Sequence, residues 1–155
     1  MELAPLSPAD IPEVMRLERS PGYDAFIGQW DAEAHAAEIV SPDARYLGFR
    51  SHAGLAGFAI LQNFREPVVR LRRIAVGEPG RGVGTRLLRA VLDWVFAETP
   101  AEAMRLDVEK QNRRAQRVYL REGWLLDGDD GERHLLMRIP RERWAALRQA
   151  PRAAW

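Results

Sequence analysis

Cysteine is absent from this chain of 155 residues. Disulfides, thiolate metal sites and cysteine nucleophiles are therefore excluded. Lysine is almost absent too: of 23 basic residues only Lys110 is a lysine, a usage that points to a GC-rich bacterial genome. The three histidines are His35, His52 and His134, and no two stand at metal-ligand spacing, so no metal is expected. No apolar run approaches the ~20 residues of a membrane-spanning helix, and Met1-Glu2 lacks the charge pattern of a signal peptide, so a cytoplasmic location is expected. The net charge of +1 supplies no basic field for nucleic acid. What is left is an ordinary globular mixture, 46% hydrophobic and 29% charged, expected to form a single domain over residues 1–155.

What the chain does have is a glycine-rich turn between a strand and a helix, from Ile74 through Gly77-Glu78-Pro79-Gly80-Arg81-Gly82-Val83-Gly84-Thr85-Arg86 to Leu88. Glycines at 80, 82 and 84 free the backbone of side-chain bulk. Its N–H groups can then converge on an anion at the positive end of a helix. A Walker loop needs a lysine that is missing here, and a Rossmann fingerprint needs G-x-G-x-x-G, whereas these glycines alternate and Arg86 is not glycine. The plain alternative is a turn that binds nothing.

Taken in order, the chain alternates strands and helices. Glu2 to Leu6 reads as a first strand. Ser7-Pro8-Ala9-Asp10 then opens a helix, with Ser7 as N-cap and Asp10 reaching back as in a capping box. Ser20-Pro21-Gly22 ends it. Residues 21–31 form a loop carrying Tyr23, Phe26 and Trp30, either a satellite core or an acceptor-pocket wall. Asp31 caps a second helix to about Val40. Strands follow at Arg45–Arg50, Leu55–Phe64 and Val68–Val76, the last with a change of phase at Arg72-Arg73 that predicts a bulge. The helix after the turn carries one apolar stripe, Val83 to Phe96. Ala103–Glu109 alternates Met104, Leu106 and Val108 with Arg105, Asp107 and Glu109, as a strand does. Asn112 caps a helix that Gly123 ends. Trp124–Leu126 and His134–Ile139 pair as a hairpin, and a last helix, Arg141–Gln149, places Trp144, Leu147 and Trp155 to pack back. The fold class is α+β, with helices flanking a mixed, mostly antiparallel sheet of about seven strands.

The second block, Asn112-Arg113-Arg114-Ala115-Gln116-Arg117-Val118-Tyr119-Leu120-Arg121-Glu122-Gly123-Trp124, follows the glycine turn after one intervening strand. Together the two blocks resemble the GCN5-related N-acetyltransferase (GNAT) superfamily. The first is similar to its acyl-CoA pyrophosphate loop, Q/R-x-x-G-x-G/A. The second is similar to its N-x-x-A-x-x-x-Y-x-x-x-G-F/W block. One departure is plain: the Gln/Arg of the loop falls on Pro79.

The resemblance implies a fold, a cosubstrate and roles. Acetyl-CoA would be held at its pyrophosphate by the amides of Arg81, Gly82, Val83, Gly84, Thr85 and Arg86, with Arg81 or Arg86 adding side-chain charge. The strand edge at Ile74, Ala75 and Val76 would pair with pantetheine amides, and one N–H there would polarise the thioester. Asn112 would bond the pantetheine arm, or serve only as an N-cap. Tyr119 would protonate the departing thiolate, or be a core aromatic. The base many members carry on the fourth strand falls near Arg70 or Arg72, neither of which can serve. Asp107 or Glu109 would take its place, unless both are ordinary carboxylates paired with arginines. His52 and His134 read as surface residues and His35 as part of an ordinary helix.

The implied function is acyl transfer from acetyl-CoA to a primary amine by direct attack, with a small molecule or a protein N-terminus as acceptor. Glu18, Asp24, Asp31 and Glu38, near the acceptor side in chain order, would favour a cationic amine. Two rivals stand beside it: a non-catalytic acyl-CoA-binding sensor or interaction domain, and a nucleotide-phosphate enzyme using the glycine turn. A homodimer is left open.

Overall fold

The computed structural model describes residues 2–20 and 30–149. Tyr23, Asp24, Phe26 and Trp155 lie outside the described residues. Strand β1 (Leu3–Pro5) leads through a 3-10 turn (Pro8–Asp10) into α1 (Ile11–Glu18). The Asp10 carboxylate accepts the Ser7 N–H at 2.8 Å, as a capping box requires. Helix α2 (Ala32–Ile39) starts at Asp31, whose side chain accepts from the Ala34 N–H at 2.8 Å. Then come β2 (Arg45–Ser51), β3 (Gly54–Gln62), β4 (Val68–Val76), α3 (Val83–Glu98), β5 (Ala103–Glu109), α4 (Arg113–Arg121), β6 (Leu125–Asp129), β7 (His134–Pro140) and α5 (Arg141–Gln149).

The seven strands form one sheet in the order β1-β2-β3-β4-β5-β7-β6. Every neighbouring pair is antiparallel except β4 and β5. Their parallel pairing follows from the connection: α3 crosses over between them, as parallel neighbours demand. Each face of the sheet carries its own core. On one side Leu87, Leu88, Val91, Leu92, Val95 and Phe96 of α3 pack on Val69, Leu71, Leu106 and Val108. On the other, Val14 and Leu17 of α1 pack on Phe58, Ile60 and Ala75. These are the stripes that helical and strand periodicity require.

Two features position the site. The first is the bulge: Ile60 pairs with Arg73 and Leu61 with Leu71, so Arg72 is the extra residue of β4. The second is the length of the parallel ladder. It covers only Val68–Ala103, Val69–Met104 and Arg70–Arg105. Beyond Arg70 and Arg105 the strands part, and a wedge opens between Leu71–Val76 and Leu106–Glu109.

The C-terminal helix is tied down by polar contacts. The Arg141 guanidinium donates to the carbonyls of Ala101, Phe96 and Thr99 at 2.7, 2.9 and 2.6 Å. Trp144 Nε1 donates to Asp93 at 2.8 Å. No described helix is long and apolar enough to cross a membrane.

Candidate active site

The wedge opens into a cavity of about 890 Å³. Its walls are β4 from Arg70 to Val76, the turn at Pro79, Gly80, Gly82, Gly84 and Thr85, β5 from Leu106 to Glu109, and one side of α4. The glycine turn is a helix entrance of unusual form. Gly82 caps α3 in the left-handed region, φ 78°, and as a glycine it offers the first turn no side-chain acceptor of its own. Gly82, Gly84 and Thr85 border the cavity at the positive end of a long helix, the setting in which first-turn amides can bind an anion. A Cβ at Gly82 would meet nothing within 4 Å, so that glycine serves backbone geometry and open space.

Charge reaches this end of the cavity from a helix distant in sequence from the glycine turn. Arg81 pairs with Glu78 at 3.2 Å, both largely exposed, and neither Arg81 nor the exposed Arg86 lines the cavity. Val83 also stays out of the wall. Instead Arg114, Arg117 and Arg121 of α4 line it. The guanidinium of Arg114 lies over Gly80, and Arg121 Nη2 donates to Thr85 Oγ1 at 3.1 Å. The i, i+3, i+7 spacing of these arginines on one helical face was the available signal.

Asn112 and Tyr119 both line the cavity. Asn112 is an N-cap, its side-chain oxygen accepting from the Ala115 N–H at 3.2 Å. Gln116 ties α4 to the end of β5 by donating to the carbonyls of Glu109 and Lys110 at 2.9 and 2.8 Å. Tyr119 is half-buried, its ring edge-on to Trp124 with centroids 5.8 Å apart.

Asp107 and Glu109 project into the same cavity, and each holds an arginine. Arg70 Nη2 donates to Asp107 at 3.2 Å. Arg133 donates to Glu109, with His134 Nε2 3.9 Å away. His134 lines the cavity as well, and its Nδ1 lies 2.9 Å from Asp130. The backbone N–H groups of His134 and Glu132 and the His134 ring hold the Asp130 carboxyl down at about 2. His134 is the partly exposed first residue of β7, its ring oriented by Asp130, and His52 sits in an exposed turn.

On the α1–α2 face sequence reasoning missed a buried network. His35 is fully buried, with Nδ1 2.7 Å from the Tyr46 hydroxyl and Nε2 2.7 Å from Glu18. Arg73 Nη1 donates to the other Glu18 oxygen at 2.9 Å. Burial, together with the charge of Glu38, pushes the Tyr46 hydroxyl well above its ordinary value. Burial likewise lowers Arg73, against the pull of Glu18. The expectation that Glu18 and Asp31 draw a cationic amine is therefore corrected: Glu18 is consumed by Arg73 and His35, and Asp31 caps α2.

Residues 11–124 match the family model described as the acetyltransferase (GNAT) family. This chain belongs to the GNAT family. The GNAT fold is equally plain in solved structures. A ribosomal-protein alanine N-acetyltransferase from Escherichia coli superposes with a TM-score of 0.73 at 20% identity, over 89% of this chain and 92% of that one. Spermidine N-acetyltransferase from Vibrio cholerae, in complex with CoA and spermine, gives 0.78 at 16% over 92% and 96%. An aminoglycoside acetyltransferase in complex with coenzyme A and kanamycin gives 0.78 at 15% over 96% and 99%. At these identities the likeness establishes the fold. In GNAT terms the departure at Pro79 lies in the cavity wall itself.

Proposed function

We propose that this protein is an acetyl-CoA-dependent N-acetyltransferase that acetylates a primary amine by direct attack in a ternary complex. One observation carries the reading. The glycine-capped entrance of α3, the stretch of β4 beyond its ladder with β5 and the side chain of Tyr119 all border one cavity.

In this reading acetyl-CoA supplies the thioester, and the chain's residues do the rest. The amides at 82–85 hold the pyrophosphate, supported by Arg114 and Arg121. The edge at Ile74–Val76 receives the pantetheine arm as an added strand would. A neutral amine attacks the carbonyl carbon, the C–N bond forms and the C–S bond breaks. Asp107 accepts the ammonium proton directly or through water, with Glu109 the second candidate. Tyr119 gives its proton to the departing thiolate and recovers one from solvent. The absence of cysteine fits a route that needs no nucleophilic side chain. Family and composition support a cytoplasmic, bacterial setting.

The pairing of Asp107 with Arg70 and of Glu109 with Arg133 favours a second reading, an acyl-CoA sensor without turnover. Thiol release from acetyl-CoA over an amine panel separates the two. Turnover that falls about 100-fold in Tyr119→Phe and in Asp107→Asn or Glu109→Gln supports the enzyme, a drop of the size general acid–base groups contribute. Tight acetyl-CoA binding without turnover of any amine supports the sensor.

A further inference from the structure

The bulge on β4 has an electrostatic outcome. A bulge places two consecutive side chains on one face of the sheet. Here Arg72 and Arg73 both lie over the ring of Trp30, with guanidinium carbons 5.3 and 4.2 Å from its centroid. With Arg70 they line the cavity at the end away from the glycine turn.

This cluster has fewer acceptors than donors. Arg73 is 5% exposed and lines the cavity, yet only its Nη1 has a hydrogen bond, to Glu18. Its Nε and Nη2 are buried with no partner, as is the Nε of Arg70. Buried polar groups in folded proteins are satisfied by protein, water or ligand, so these donors mark a place for an acceptor. Nor does charge balance within the cluster. Glu18 is held by Arg73 and His35, and Asp107 by Arg70. Among the described residues Arg72 has no carboxylate within ion-pair distance, though it is half-buried.

Resting on the acyltransferase reading, we infer that the acceptor is a primary amine that also bears a carboxylate, an amino acid, whose carboxylate is held by Arg72 and Arg73. The geometry suits it. From Ala75, beside the proposed course of the thioester, to Arg72 is three residues of strand, about 10 Å. An arginine side chain reaching back over part of that distance leaves room for an amine and a short linker. Guanidinium groups match carboxylates in shape and charge, and the face of Trp30 orients them. A polyamine would place a second cation against three arginines. In the reaction the amine nitrogen bonds to the acetyl carbon, the C–S bond breaks, and one proton passes to the base while CoA leaves as the thiol; the carboxylate is unchanged.

The test compares amino acids with the amines formally left by their decarboxylation: ornithine with putrescine, phenylalanine with phenethylamine, tryptophan with tryptamine, alanine with ethylamine. The expected result is a kcat/KM for at least one amino acid about 100-fold above its partner amine, the discrimination available to a site with unmet polar groups. Arg72→Gln should remove most of that ratio and leave the KM for acetyl-CoA unchanged. Calorimetric titration of the CoA-loaded protein with the same panel gives a readout that needs no turnover. Amino-acid binding lost in Arg72→Gln supports the assignment. Partner amines, or spermidine, acetylated as well as or better than the amino acids would overturn it while leaving the acyltransferase intact, as would no binding of any amino acid to the CoA-loaded protein. Failure of acetyl-CoA itself to bind would remove the underlying reading.

Discussion

Glu18 at the end of α1 and Arg73 on β4 meet at 2.9 Å with side chains 0% and 2% exposed. Nothing in the sequence brings them together; the packing of α1 on the sheet does. The pair joins β4 to the helix that covers it. Removing one member of a buried ion pair leaves an uncompensated charge, at a cost of about 3–5 kcal/mol. Glu18→Gln should therefore lower the free energy of unfolding by that order in urea titration. A combined Glu18→Leu, Arg73→Leu variant should be less destabilised than Glu18→Gln.

The glycines at 82 and 123 should separate binding from stability. Both have positive φ, 78° and 101°. At Gly82 a side chain meets no neighbour, whereas at Gly123 it would run into Leu147. Gly123→Ala should lower Tm by several degrees, the result of about 1–2 kcal/mol of backbone strain plus a clash. Gly82→Ala should unfold at a closer-to-native temperature and lose acetyl-CoA affinity instead, read by calorimetry.

Most of the frame was legible in the sequence, and the reasons are local. Asp31, Asn112 and Gly123 announce helix ends by chemistry that acts within a few residues. The glycine turn and the phase change at Arg72-Arg73 are local too. The buried network was not legible, because His35 stands among Ala and Glu on α2, with no apolar stripe to say that it points inward. Its partners Glu18 and Tyr46 lie on other elements. Likewise Arg114 and Arg121 meet the glycine turn only because β5 and α4 return the chain beside α3. Arg81 and Arg86 are nearest the turn in sequence, but Arg81 pairs with Glu78 and neither lines the cavity.

Charge near the turn should accordingly come from α4. Replacing Arg114 and Arg121 together by Gln should raise the KM for acetyl-CoA about tenfold at low salt and leave kcat near its original value, as loss of uniform binding does. The same change at Arg81 and Arg86 should have a smaller effect. Steady-state kinetics at two salt concentrations checks both.

Acid stability should depend on Asp10. Burial works against its charge, but the Arg50 guanidinium at 2.5 Å and the Ser7 N–H at 2.8 Å outweigh it and hold the carboxyl below its ordinary value. A depressed carboxylate stabilises the fold above its unfolded value and loses that contribution as pH falls through its folded one. The stability gap between the native protein and Asp10→Asn should be constant at neutral pH and close progressively below about pH 4. Urea unfolding of both across that range provides the check.

The central claim is that main-chain amides grip the cosubstrate, and backbone hydrogen exchange reads those amides directly. Addition of acetyl-CoA should slow exchange in two separate segments, 71–76 and 82–86, and leave β1 and β2 unchanged. Exchange at both segments unaltered by saturating acetyl-CoA would contradict it.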